Sequence, residues 1–120
     1  MLFNRSKGNR VISKVKFADG FFGKFRGLML EKEQNFDYAL VFDFGNEKKT
    51  GASIHMMFVF FPIDAVYLDA EKKVVDVAKG LKPFALNYTP KEKAAFLIEL
   101  PEGYAKGIWV GDRLEWEKQD

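Results

Sequence analysis

The sequence predicts a mainly β protein of the α+β class, a single compact antiparallel barrel or sandwich-like domain with two or three short helices. Short apolar or alternating runs recur along the 120 residues and are separated by turn residues, which is typical of an all-β arrangement. No repeat or linker divides them. With 48% hydrophobic residues, 13 of them Phe, the chain can bury one sizeable core and is too short for two.

The first strand is predicted at residues 10–17, where a mostly apolar face alternates with Lys14 and Lys16. We therefore place the globular β-rich domain at residues 10–120 and expect residues 1–9 to be a basic, flexible segment. Residues 1–26 carry seven basic side chains against Asp19 alone, a charge of +6 in a chain whose net charge is +2. The amino-terminal arm is thus the most basic part of the sequence.

A helix is predicted next, because Asp19 can cap it and apolar residues recur at helical spacing through residue 30. Single helical turns are expected at Thr89-Pro90-Lys91-Glu92 and over residues 101–106, ending at Gly107. The remaining apolar runs predict strands. We place these at 38–44, followed by a polar turn at 45–51, from Ala52 onward, at 63–69 paired with 73–79 as a hairpin, at 95–100, and at 113–117.

Several functional classes are excluded by composition. The chain has no Cys, which removes disulfides, thiolate catalysis and thiolate metal sites. The longest apolar run, Met56 to Ile63, is far shorter than the roughly 20 residues of a membrane-spanning helix, so no membrane span is expected. No apolar stretch of signal-peptide length follows the first basic residues. We therefore expect a cytoplasmic protein.

A series of short motifs occurs in a fixed order between Val11 and Glu115: Phe25-Arg26-Gly27-Leu28-Met29, Ala39-Leu40-Val41-Phe42, His55-Met56, Pro62-Ile63-Asp64, Phe96-Leu97-Ile98-Glu99-Leu100 and Val110-Gly111-Asp112. This series resembles the family called domain of unknown function 192. The resemblance implies a compact β-rich domain, found in bacteria and archaea, with no established biochemical activity. Where many members carry Lys-Asn-Thr, this chain has Met57-Phe58-Val59, and His55 stands where Trp is frequent.

Four polar residues are candidates for a ligand-binding site. His55 is the only histidine and could exchange a proton near neutral pH, although a structural histidine is the simpler interpretation. Asp64 lies in a predicted buried strand and needs a partner, for which Arg26 is preferred, either as a structural ion pair or facing a ligand. Asp112 follows Gly111 in a predicted turn, where it can bond to its own backbone.

Two aromatic residues lie close to that turn. Exposed beside it, Tyr104 and Trp109 could stack on a sugar or a peptide, but we expect both of them to be in the core.

These observations predict a non-catalytic module that binds a small ligand or a peptide in a groove beside the His55 strand and the Arg26 helix. No phosphate loop or metal-ligand cluster is present in the sequence, so we expect no metal and no cofactor. One alternative is a metal-independent hydrolase or isomerase that uses His55 with an aspartate. Another is an interaction protein that docks through its basic arm. The arm lacks interleaved aromatic residues, so no nucleic-acid partner is expected, and the protein should be a monomer or a weak dimer.

Overall fold

The described part of the protein contains eight short β-strands and one turn of 3-10 helix, Glu33–Asn35. The structure, a computed structural model, describes residues 1–18, 32–48, 61–82 and 90–117. The strands are β1 (Leu2–Asn4), β2 (Asn9–Ile12), β3 (Val15–Phe17), β4 (Ala39–Lys48), β5 (Ile63–Leu68), β6 (Val74–Leu81), β7 (Ala94–Pro101) and β8 (Leu114–Trp116).

The strands form two sheets. The smaller sheet has the order β2-β1-β8, and the larger has the order β3-β4-β7-β5-β6. Among the described strands, only the β3–β4 pair is parallel, and all other neighbours are antiparallel. The described residues therefore show a sandwich-like pair of sheets, and the barrel that was one of our two expected arrangements is not among them.

The larger sheet is buried on both faces. One face packs against the smaller sheet, through a cluster that includes Leu2 of β1, Leu114 of β8 and Ile98 of β7. The opposite face carries a second cluster, which includes Leu40, Tyr67 and Leu97 together with Phe36 and Phe61. Burial on both faces explains why β5 is apolar at five of its six positions rather than alternating. Asp64 is the exception within that strand.

Five predicted strands are confirmed, and one is wrong in detail. The hairpin, the strand at 95–100, the last strand and the start of the strand at 38–44 are present, although β4 continues to Lys48 through part of the expected polar turn. Residues 10–17 form two strands in different sheets. Ile12 and Val15 are both buried in the cluster between the sheets, and one straight strand would point positions three apart to opposite faces.

The first nine residues are not a flexible segment outside the domain. β1 is the central strand of the smaller sheet, paired with β2 on one side and β8 on the other. Leu2 and Asn4 are fully buried in it. The first residues are therefore part of the core of the domain, because the buried side chains of β1 lie beside β8.

Two or three helices were expected, and the described residues contain only the single 3-10 turn. Residues 101–106 form the end of β7 and consecutive turns, and residues 90–93 contain no helical turn. The helix predicted at 19–30 and the strand predicted from Ala52 lie outside the described residues. Within the described ranges, no helix has the length and apolar character needed to span a bilayer.

Candidate functional site

The connection between β7 and β8, residues 102–113, is called here the β7–β8 loop. Its backbone folds into consecutive turns, with hydrogen bonds from Lys106 N to Gly103 O (3.2 Å) and from Ile108 N to Ala105 O (3.0 Å). The side chains of Ala105 and Ile108 are buried in the cluster between the sheets. Because these two residues pack into the core, the loop lies closely on the body of the domain.

Asp64 of β5 binds the backbone of this loop. Its Oδ2 atom accepts hydrogen bonds from Gly103 N (3.0 Å) and Ala105 N (2.9 Å), and its Oδ1 atom accepts one from Gly80 N (2.9 Å) in β6. The carboxylate is 1% exposed. Three N–H donors offset the cost of burying this charge, so Asp64 obtains from the backbone the partner that its burial requires. Arg26, the partner we expected, lies outside the described residues.

Asp112 holds the other end of the same loop. Its Oδ2 atom accepts from Trp109 N and from Asn4 Nδ2, both at 3.0 Å, and its Oδ1 atom accepts from Lys7 Nζ at 2.8 Å. Burial alone raises the pKa of Asp112, but the bonds from Lys7, Asn4 and Trp109 outweigh it and hold the pKa below its usual value. Asp112 is therefore an ionised anchor. The turn predicted before β8 is present, with Gly111 at a φ of 99°.

The two aspartates predicted as site residues thus act on one structure, although they are far apart in the sequence. Asp64 fixes residues 103–105, and Asp112 fixes residue 109 and links it to β1. His55, the third candidate, lies outside the described residues, as does most of the apolar run that follows it. Phe61 and Ile63, at the end of that run, are buried.

The β7–β8 loop carries all three large hydrophobic side chains that are exposed in the described part of the chain. Tyr104 is 47% exposed, Trp109 63% and Val110 65%. Our expectation that Tyr104 and Trp109 are in the core is wrong. Ala105 and Ile108 occupy the inward positions of the loop, which leaves their larger neighbours in solvent. The Lys79 ammonium lies 5.7 Å from the centre of the Trp109 ring, within the range of a cation–π contact.

A cleft of about 320 Å³ separates this loop from β2. Its lining has residues from β1 and β2 on one side and from the loop on the other: Asn4, residues 9–11, residues 102–104, Gly107 and Ile108. Arg10 and Glu102 bring opposite charges to the two sides, and Tyr104 brings an aromatic ring. Glu102 lies against Gly80, where an added Cβ would be 3.0 Å from Glu102 Oε2. The cleft is open to solvent and chemically mixed.

Glu99 in β7 is a buried acid that we did not single out from the sequence. It is 4% exposed, and it pairs across the strands with Leu40 and Ala65. Its Oε1 atom has no hydrogen-bond partner among the described residues. Burial raises the pKa of Glu99 from 4.5 to about 8. A lone acid inside the apolar run of residues 94–100 was the signal in the sequence that could have identified it.

The described residues bring no three His, Cys, Asp or Glu side chains together in a group that could hold a metal ion. Asp64 and Asp112 each accept three hydrogen bonds from N–H groups of the protein, and one of those to Asp112 comes from the Lys7 ammonium. The features of this region that remain open to a ligand are the exposed aromatic side chains and the cleft.

Fold and surface together define a small two-sheet β protein with a short, tightly held loop that carries exposed aromatic side chains. The chain belongs to the family called domain of unknown function 192, described as "Uncharacterized ACR", and the match covers residues 2–116. The family resemblance inferred from the motifs is confirmed.

Relatives of known sequence and structure agree with this assignment. The chain is 42% identical over 122 residues to a UPF0127 protein of Thermococcus sibiricus, covering all of this chain and 77% of the relative. It is 39% identical over 119 residues to a UPF0127 protein of Pyrococcus furiosus, covering 98% of each. A crystal structure of a protein of unknown function from Novosphingobium aromaticivorans has a TM-score of 0.81 and 21% identity, covering 96% of this chain and 81% of that one. This last likeness shows the fold alone.

Proposed function

We propose that the protein is a non-catalytic binding module and that its ligand, a small molecule or a peptide, contacts the β7–β8 loop and the cleft beside it. One observation carries the proposal. The exposed large hydrophobic side chains of the described residues are concentrated on one loop, and buried carboxylates hold the backbone of that loop. Exposed aromatic side chains on a fixed loop are typical of recognition surfaces.

The anchoring of the loop supports binding on energetic grounds. Ordering a flexible loop at the moment of binding reduces affinity, and a loop that is already ordered avoids this cost. Asp64 and Asp112 order it through the backbone N–H groups of Gly103, Ala105 and Trp109. In this proposal, the two aspartates position the site and do not contact the ligand.

The cleft supplies the contacts. Tyr104 offers a flat apolar surface. The guanidinium of Arg10 offers hydrogen-bond donors, and the carboxylate of Glu102 offers two acceptor oxygens. In a small-ligand site, a few placed polar groups fix the orientation of the ligand and provide specificity. The protein would act as a monomer or weak dimer in the cytoplasm, without a cofactor.

The two alternatives have less support. An enzyme that uses His55 depends on a residue outside the described ranges, and no described contact favours it. Docking through a basic arm is disfavoured because two of its cations are already paired. Lys7 binds Asp112 at 2.8 Å, and Arg5 lies 3.3 Å from Glu115 in the neighbouring strand. A charge that is paired within the domain is less available to a partner.

A ligand screen tests the proposal. The full chain is screened by thermal shift against neutral oligosaccharides, nucleotides and a set of synthetic peptides, and hits are measured by calorimetry. We expect Tyr104→Ala to weaken a hit at least 10-fold and Tyr104→Phe, the matched control that keeps the ring, to change it less than 3-fold. Because Tyr104 is half exposed, both variants should keep the stability of the parent within about 0.5 kcal/mol. Absence of any hit, or hits that are indifferent to Tyr104→Ala, would contradict the proposal.

A further inference from the structure

We infer that the ligand of the cleft is an extended polypeptide segment that adds as a strand to the free edge of β2. This inference rests on the proposed function and names the class of ligand for the same site. Addition of a strand to a sheet edge is a general mode of peptide recognition, in which main-chain hydrogen bonds give affinity and side-chain pockets give specificity.

β2 is an edge strand in the described structure. It is the first strand in the order β2-β1-β8, so that β1 pairs with only one of its sides. Outside that ladder, residues 9–12 make no backbone hydrogen bond to any other described residue. A free edge presents a row of N–H and C=O groups, and these are matched by the backbone of another extended chain. The groups along β2 thus provide a template for a strand.

The cleft lies beside β2. Asn9, Arg10 and Val11 line one side of it, and the β7–β8 loop lines the other. Two glycines of the loop, Gly103 and Gly107, face open space, since a Cβ at either position would meet no atom within 4 Å. The four residues of β2 extend over roughly 13 Å at 3.3 Å per residue, which is enough to pair with three or four residues of a peptide.

The side chains around the edge indicate what such a peptide carries. Tyr104 can contact an apolar or aromatic side chain of the added strand. Arg10 and Glu102 form no ion pair with another described residue, and they bring opposite charges to the two walls. An added strand presents alternate side chains to opposite sides. A segment with one apolar residue and charged neighbours of both signs therefore fits this site.

An oligosaccharide is the competing occupant, because it also stacks on aromatic rings. A sugar forms its hydrogen bonds mainly with polar side chains and leaves the backbone N–H and C=O groups of a sheet edge unused. A peptide can form hydrogen bonds with these backbone donors and acceptors. The free edge therefore favours the peptide.

The experiment begins with a phage-displayed library of random dodecapeptides. The library is selected on the immobilised full chain and counter-selected on Tyr104→Ala. The enriched peptide is then synthesised in three forms: unmodified, N-methylated at its odd residues, and N-methylated at its even residues. Strand addition directs alternate N–H groups toward β2, so we expect one N-methylated form to bind at least 10-fold more weakly and the other to bind within about 3-fold of the parent. Glu92→Gln, at an exposed position outside the β7–β8 loop, β2 and the cleft lining, serves as the control and should not change the affinity.

The outcomes separate this inference from the proposed function. A peptide that binds in a Tyr104-dependent manner but tolerates N-methylation in both registers overturns strand addition and leaves the binding module intact. Tyr104-dependent binding of neutral oligosaccharides, with no peptide enriched, also overturns the inference alone. If no peptide is enriched and neither the oligosaccharides nor the nucleotides of the ligand screen bind, the inference and the proposed function fail together.

Discussion

Replacement of Glu99 by Gln should stabilise the protein by an amount that grows with pH. The pKa of Glu99 is 4.5 in the unfolded chain and about 8 in the folded protein, because burial disfavours the charged form. Between pH 4.5 and about pH 8, the folded state therefore keeps the proton of Glu99 that the unfolded state releases. Across this window the free energy of unfolding falls by about 1.4 kcal/mol for each pH unit. The loss reaches about 3 kcal/mol at pH 7 and levels off near 5 kcal/mol above pH 8.

Gln has nearly the shape of the neutral acid and does not titrate, so the variant avoids this loss. We expect Glu99→Gln to match the parent at pH 4, to exceed it by about 3 kcal/mol at pH 7, and to exceed it by about 5 kcal/mol at pH 9. Guanidinium denaturation at each pH gives the free energy of unfolding. Glu92→Gln, at an exposed position, is the control and should change it by less than about 0.5 kcal/mol throughout. A difference between parent and Glu99→Gln that is constant from pH 5 to pH 8 would refute the reasoning.

Three further predictions concern the anchors of the loop. Asp64→Asn replaces an acceptor oxygen with a donor that faces backbone N–H groups, and it should lower the free energy of unfolding by about 2–3 kcal/mol in a denaturant titration. Lys7→Met removes the ammonium from Asp112, so about 1 kcal/mol should be lost at pH 7. This loss should fade as the pH falls through the lowered pKa of Asp112, because the carboxylate is then neutral in the parent too. Gly111→Ala places a side chain at a φ of 99° and should lower the thermal midpoint, with a cost of about 1–2 kcal/mol.

Each of these three has an outcome that would count against it. If Asp64→Asn keeps the free energy of unfolding of the parent, water contributes no less to stability than the carboxylate does as the hydrogen-bond acceptor of the three backbone N–H groups. A Lys7→Met effect of equal size at pH 2 and pH 7 would show that the ammonium does not act through the Asp112 charge. An unchanged thermal midpoint for Gly111→Ala would show that the turn relaxes without strain.

The elements that could be predicted from sequence are those specified by local signals. The β5–β6 hairpin combines an apolar run, a three-residue turn and a second alternating run within 20 residues, and Lys72 in that turn has the positive φ of 65° that a tight reversal requires. β4 and β7 are apolar enough to be recognised alone. Their pairing with each other was not predicted, because it joins positions such as Val41 and Ile98 that are far apart in the sequence.

β1 shows why other elements could not be predicted. It has three residues, and its partners are a strand that follows a short turn and another at the end of the chain. The seven basic residues near it suggested a solvated arm, yet the burial of Leu2 and Asn4 depends on β8, which is more than 100 residues away. A contact at that separation leaves no periodic signal in a three-residue strand.

Two aspartates of this region were selected from the sequence, Asp64 as a buried acid that needs a partner and Asp112 as a turn residue that bonds to its own backbone. In the structure both accept hydrogen bonds from the backbone. The partners are mostly backbone N–H groups, which carry no sequence signal, and the shared target of the two side chains appears only in three dimensions. Trp109 was expected in the core because aromatic residues are usually buried. Ala105 and Ile108 take the inward positions instead, and the Asp112 bond fixes the backbone that holds Trp109 outward.

The central claim is that buried carboxylates hold the β7–β8 loop rigid while its aromatic side chains face solvent. Amide hydrogen exchange of Gly103, Ala105 and Trp109, followed by NMR, measures this directly. We predict that these three amides are protected to the same degree as those in the middle of β7. Exchange at the rate of an unstructured peptide, with β7 still protected, would contradict the claim.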